Sequence, residues 1–127
     1  MKNVPKVMVC VTRQKTCERL ISVGQKFING SSGEISIVHI TKVGENFLDN
    51  PDEGEALEYL FQVSKQAGAD MTVLRSENVL NTLMDYAKKN KITDIVMGES
   101  LESENNSNII RNMERLLPGI NINVVPT

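Results

Sequence analysis

Few residues in this sequence have types and spacings that could do chemistry. His39 is the lone histidine, and neither a carboxylate nor a nucleophile is spaced to form a catalytic set with it. It therefore reads as a structural group or a pocket wall. Cys10 lies inside the apolar run VMVCV and reads as an inert buried thiol, whereas Cys17 stands near a predicted helix start, where the macrodipole would lower a thiol's pKa. Two cysteines alone complete neither a tetrahedral metal site nor a disulfide framework. The run Gly98-Glu99-Ser100-Leu101-Glu102-Ser103 leads toward a helix N-terminus, a position that favours anions. Its acids, with Glu104, complement the helix dipole and repel a phosphate. The chain holds no GxxxxGK[ST] or GxGxxG motif, no Ser-His-Asp set and no metal-ligand spacing. These residues suit binding or interaction better than catalysis, and a nucleotide hydrolase is disfavoured because no general base is visible.

The hydropathy pattern indicates which elements must position them. Val7 to Val11 is apolar throughout, as expected of a strand covered on both faces. Thr16 is expected to cap a helix whose stripe is Leu20, Gly24, Phe27 and Ile28, ending at Asn29-Gly30. A second strand, Glu34 to Ile40, runs into a loop through Gly44 and Asn50. Asn50-Pro51-Asp52-Glu53 reads as a helix start with Asn50 as cap and Pro51 in the first helical position. That helix carries Leu57, Leu60, Phe61, Ser64 and Ala67 inward as far as Gly68. A third strand spans Met71 to Leu74, and Val79, Leu80, Leu83, Met84 and Ala87 line the next helix. Ile95 to Met97 is the fourth strand, and a helix from Asn106 to Leu117 turns Ile109, Ile110, Met113, Leu116 and Leu117 inward until Pro118-Gly119 stops it. Ile120-Asn121-Ile122-Asn123-Val124 alternates strictly, which predicts an edge strand.

Strands alternating with crossover helices give an α/β fold, a three-layer α/β/α sandwich around a five-stranded parallel sheet of order 3-2-1-4-5. Its switch point lies between the first and fourth strands, so a ligand belongs beyond their carboxyl ends, at the loops Thr12 to Thr16 and Gly98 to Asn108. Candidate ligand-binding residues are Val11, Thr12, Arg13, Thr16, Val38, His39, Met97, Gly98 and Ser100. The edge strand offers unpaired backbone groups and an apolar face to a second copy, which makes Ile120, Ile122, Asn123, Val124 and Val125 a candidate homodimer interface.

Composition excludes other classes. With 127 residues the chain suits a single domain, residues 1–127, and the start at Met1 with an end just past the last strand is expected of a complete small protein. A net charge of −2 leaves no footprint for nucleic acid or an anionic membrane surface. The first apolar run is too short for a signal-peptide core or a bilayer span, so the reducing cytoplasm is the expected compartment.

The stretch ADMTVLRSENVLNTLMDYAKKNKITDIVMGES resembles the universal stress protein (Usp) domain of KdpD-type potassium-sensor histidine kinases, through Leu74, Arg75, Glu77, Val79, Tyr86, Ala87, Asn90, Thr93, Ile95, Val96, Gly98 and Ser100. Cys10, Glu18, Arg19, Leu20 and Ile21 are similar to that domain's opening, and PGININVVP to its end. The resemblance implies a cytoplasmic regulatory or signalling domain of the stress response, not an enzyme, with ATP, AMP or cyclic di-AMP as candidate ligands. Nucleotide-binding members carry an Asp after strand one and G-x2-G-x9-G-[ST] after strand four. Here Thr12 or Arg13 replaces that Asp, Gly98 matches the first glycine, Leu101 replaces the second, and neither Arg111-Asn112 nor Ser107-Asn108 supplies the final pair. Thr12 and Thr16 match in part the hydroxyl residues of members that bind cyclic di-AMP, while Ile35-Ser36-Ile37-Val38-His39 lacks their aromatics. A ligand-free dimerisation or docking module is the alternative.

Overall fold

Both faces of the strand at the centre of the sheet are covered, which accounts for its unbroken apolar run. In the computed structural model, which describes residues 4–28, 32–98 and 108–126 and only the backbone of 108–110, β1 spans Lys6–Cys10. Val7, Val9 and Val11 pack on one side of it, and Met8 and Cys10 on the other. The elements that follow are α1 (Gln14–Ile28), β2 (Glu34–Lys42), a 3₁₀ turn (Phe47–Asp49), α2 (Glu53–Gln66), β3 (Asp70–Ser76), α3 (Val79–Lys89), β4 (Asp94–Gly98), α4 (Asn108–Leu116) and β5 (Asn121–Val125).

The five strands are all parallel, in the order β3-β2-β1-β4-β5. This is the expected order, and β5 is the expected edge. Two apolar layers follow from right-handed crossovers on either side of the central strand. Cys17, Leu20 and Ile21 of α1 and Ala56 and Leu60 of α2 cover one face, together with Phe47 and Leu48 of the connection. Leu83, Met84 and Ala87 of α3, with Met113 of α4 and Leu117 just beyond it, cover the other.

Several boundaries and helix faces differ from those read in the sequence. Thr16 does not cap α1: the helix begins at Gln14, and the Thr16 hydroxyl donates to the Arg13 carbonyl at 3.2 Å. Asp52, not Asn50, caps α2, accepting from the Glu55 N–H at 3.0 Å. Asn50 instead accepts from the Asp52 N–H at 2.9 Å, which leaves Pro51 in an Asx turn ahead of the helix. Phe27, Phe61 and Leu116 were expected inward but are 37%, 48% and 43% exposed; each lies at the margin of its helix's buried stripe, where a real helix surface is narrower than helical spacing implies. β2 and β3 outlast their apolar runs, ending at Lys42 and Ser76, because ladder bonding continues where side chains turn polar, and β5 begins at Asn121, one residue after the expected Ile120. The expected α1 terminus at Asn29-Gly30 and the first residues expected of the last helix, 106–107, lie outside the described residues, as do the side chains of Ile109 and Ile110.

Gly24 sets how closely α1 approaches the sheet. A Cβ there would lie 2.5 Å from Cγ2 of Val9 and 3.2 Å from Cδ1 of Ile35, both buried side chains of the central strands. Gly68, at φ 70°, lets the chain leave α2 in the left-handed region. Gly24→Ala is expected to destabilise the protein by about 1–2 kcal/mol, since overpacking at a site that cannot yield outweighs the roughly 1 kcal/mol that alanine gains in a helix. A urea midpoint equal to or above that of the parent protein would show instead that α1 is free to lift from Val9.

Candidate functional site

Where β1 leaves the sheet, its neighbours are set by register. Cys10 pairs with Val38 of β2 on one side and with Met97 of β4 on the other. Val11 and Gly98 therefore emerge side by side at the carboxyl edge, which is the switch-point geometry expected from the strand order. A cleft of about 470 Å³ opens beside this point, over the ends of β1 and β2, and none of its lining among the described residues comes from β4, so it lies on the β2 side of β1 and not in the expected crevice between β1 and β4. Its volume is within the roughly 300–1,000 Å³ of small-molecule sites. Thr12 and Arg13 form one rim, and the last residues of β2, His39 to Lys42, form the floor. Glu45, Asn46 and Asp49 of the β2–α2 connection form the opposite rim, with Val79 of α3 closing the side.

His39 ties two of these walls together. Its ring is 2% exposed, and Nδ1 lies 2.8 Å from the Val11 carbonyl while the Leu48 N–H points at Nε2 at 2.8 Å. An N–H aimed at Nε2 requires a lone pair there, so the proton sits on Nδ1 and is donated to Val11. Both partners are satisfied only by the neutral ring. Burial accordingly holds the His39 pKa below the usual histidine range, with the Val11 carbonyl opposing that shift.

The β2–α2 connection is anchored at a second point. The Phe47 N–H donates to the Glu53 carboxylate at 3.2 Å, Arg75 of β3 pairs with the same carboxylate, and the Arg75 guanidinium lies 3.9 Å from the centre of the Phe47 ring. The Phe47 ring also meets His39 edge-on, with centroids 5.9 Å apart. Between these anchors Leu48 and Asp49 take left-handed conformations, φ 53° and 58°, which costs about 1–2 kcal/mol at Leu48 and less at an aspartate. Leu48 is 3% exposed, so its burial and its bond to His39 offset that cost.

Of the residues singled out in the sequence, Thr12, Arg13 and His39 meet in this cleft. Val11 and Val38 lie beneath it, buried beside a narrow apolar crevice that adjoins Thr12, Ile40 and Val79. Met97 is fully buried in the sheet, Gly98 ends β4, and Thr16 lies in the first turn of α1. Ser100 and the rest of the loop 99–107 lie outside the described residues. Sequence reasoning missed Thr41, Lys42, Glu45, Asn46, Asp49 and Val79. The available signal was three side chains bearing carboxyl or amide groups just past the second strand, on the same carboxyl edge as the switch point. Cys17 is no nucleophile: it is buried in the core, its Sγ donates to the Arg13 carbonyl at 3.2 Å, and burial pushes its pKa up to about 12, overriding the helix dipole. Among the described residues no cluster of His, Cys, Asp or Glu is arranged to hold a metal ion, and no helix is long and apolar enough to cross a membrane.

A pH dependence follows from His39. Its folded pKa lies below the unfolded value, so below about pH 6.5 the unfolded chain takes up a proton that the folded chain refuses. The His39 contribution to stability is expected to be constant above that value and to fall as pH drops from about 6.5 toward the folded pKa, by at most about 1.4 kcal/mol per pH unit. Chemical denaturation at pH 7.5 and 5.5 checks this, with His39→Gln expected to be less stable but to lose the dependence; equal slopes in the two proteins would show that another group titrates.

Neither a protein-family model nor a curated protein matches this sequence. Solved structures do match. A universal stress protein in complex with cAMP superposes with a TM-score of 0.70 at 15% identity, covering 99% of each chain. The universal stress protein from Archaeoglobus fulgidus in complex with dAMP gives 0.59 at 14% identity over 98% of each chain. A universal stress protein family protein from Arabidopsis thaliana with AMP bound gives 0.61 at 14% identity, over 96% of this chain and 91% of that one. The α/β fold built around this cleft is the fold of the universal stress proteins.

Proposed function

We propose that this chain is a universal-stress-protein-type regulatory domain that binds an adenine nucleotide in the cleft beside Thr12, without catalysing its breakdown. The observation that carries the reading is the cleft itself, at the carboxyl edge of the central strands in a fold whose solved examples include complexes with cAMP, dAMP and AMP. The floor, His39 to Lys42 of β2, offers Ile40 beside a narrow apolar crevice for a flat base, and the rims carry both charges. In this reading the nucleoside lies over Thr12, His39 and Ile40, and the phosphates extend toward Arg13 and the end of β4 at Gly98. Met97 and Val38 shape the floor from below. The residues 1–127 act as one cytoplasmic domain, related to the KdpD-type sensors through the residues that carry that resemblance. Cyclic di-AMP is the second candidate ligand for the same cleft.

The β5 edge favours self-association as a second property. Val124 is 37% exposed there, while Ile120 and Ile122 are partly buried against the α3–α4 layer and Val125 is buried in the monomer's own core. Val124 and the outer backbone of Asn121 to Val125 are thus what a second copy would meet, with Asn123 half-buried and its amide donating to the Ile95 carbonyl at 3.3 Å.

Added AMP at a hundredfold excess over Kd is expected to raise stability by about 2.7 kcal/mol, read as a thermal shift. Absence of a shift with AMP, ATP, cAMP and cyclic di-AMP would remove the nucleotide reading and leave the interaction module. For the edge, Val124→Lys is expected to convert a dimer to a monomer in light scattering while changing monomer stability by no more than about 0.5 kcal/mol. A parent protein already monomeric at tens of micromolar would dispose of the interface.

A further inference from the structure

The two rims of the cleft differ in what they can bind. Thr12 and Arg13 bring a hydroxyl and a cation, whereas the β2–α2 connection brings the carboxylates of Glu45 and Asp49. A carboxylate only accepts hydrogen bonds and repels phosphate, so this second rim suits the donor-bearing part of a ligand. Asp49 is the better held of the two. Its N–H bonds the Asn46 carbonyl at 3.2 Å, the next N–H, that of Asn50, bonds the Phe47 carbonyl at 3.0 Å, and the preceding Leu48 is locked to His39 at 2.8 Å. Glu45 also has its N–H bonded, to the Lys42 carbonyl at 3.0 Å, but it has a longer side chain on an exposed turn beside Gly44 with no buried neighbour such as Leu48 to hold it. Asp49, itself exposed, also borders a neighbouring depression of about 370 Å³, so its carboxyl group stands on the ridge between two hollows. Aspartate is among the few residues other than glycine that take the left-handed conformation readily. The backbone at this point is held, and it carries a short acceptor at the border of the cleft.

We infer that Asp49 reads a donor on the nucleoside half of the bound nucleotide, the exocyclic amine of the base or a ribose hydroxyl, and thereby sets the ligand preference of the site. The inference rests on the adenine-nucleotide reading above. It also orients the ligand, with the nucleoside donors toward Asp49 and the phosphates away from it.

Asp49→Asn tests this, because asparagine keeps the size and the tolerance for φ 58° while replacing one acceptor by an NH₂ donor. Calorimetric titrations of the parent and variant with AMP, IMP and 2′-deoxy-AMP are compared, with unliganded thermal unfolding as the check on folding. AMP affinity is expected to fall roughly tenfold or more in the variant. If the donor is the amine, IMP, whose carbonyl replaces it, gains on AMP in the variant. If the donor is the 2′-hydroxyl, AMP and IMP weaken together and 2′-deoxy-AMP weakens least. A fall shared equally by all three ligands assigns the contact to the 3′-hydroxyl. Asp49→Gly, which suits the backbone and has no side chain, is expected to show the same loss of AMP affinity. Parent protein that binds AMP, with both variants matching it within about twofold for every ligand, would overturn the role of Asp49 alone; parent protein that binds none of the three would overturn the nucleotide reading beneath it as well.

Discussion

A strand at the middle of a parallel sheet has no solvent face, and in this protein everything else is hung on that constraint. β1 is apolar at Val7, Met8, Val9, Cys10 and Val11 because α1 and α2 press on one side and α3 and α4 on the other. Its backbone is bonded to β2 and β4 at once. A strand so enclosed has one register, since slipping by a residue would exchange the two packed faces. The place where it ends, at Cys10, is therefore the best-determined point at the carboxyl edge, and the cleft begins two residues on, at Thr12.

The same enclosure explains the buried polar group beside it. A histidine in the core costs free energy unless both nitrogens find partners, and His39 finds them in the Val11 carbonyl and the Leu48 N–H. Each partner is itself a backbone group that no sheet or helix ladder would satisfy at that place. The ring thus stands in for a missing rung of secondary structure and holds the end of β1 against the β2–α2 connection. Arg75 and Glu53 act from outside on the same segment. Their ion pair is solvent-exposed and contributes little by itself; its use is positional, since the Glu53 carboxylate also takes the Phe47 N–H and the guanidinium covers the Phe47 ring. A connection clamped at Phe47 and Leu48 has little choice about where it puts Asp49.

The order of elements, the sheet topology and the edge position of β5 were legible from residue order because they follow from short-range rules. Apolar periodicity separates strand from helix, crossover handedness limits the sheet orders, and strict alternation marks a strand with one open face. The helix start at Asn50 was displaced to Asp52 because both residues can cap, and the choice between them is made by a local turn that composition alone leaves open. Phe27 and Phe61 were misassigned because helical spacing defines a stripe without saying how wide the covering surface is.

Residue order alone determined a doubly wound sheet with its switch point at Thr12 and Gly98, since topology depends on which segments are apolar and in what rhythm. The rim formed by Glu45, Asn46 and Asp49, the double bond of His39 and the suppressed reactivity of Cys17 were decided only in three dimensions. Each depends on the distance between groups far apart in the chain, and on how thoroughly a neighbouring element excludes water. A thiol at a helix N-terminus or a histidine at a strand end has the same letters around it whether it is wet or dry, and only packing separates the two.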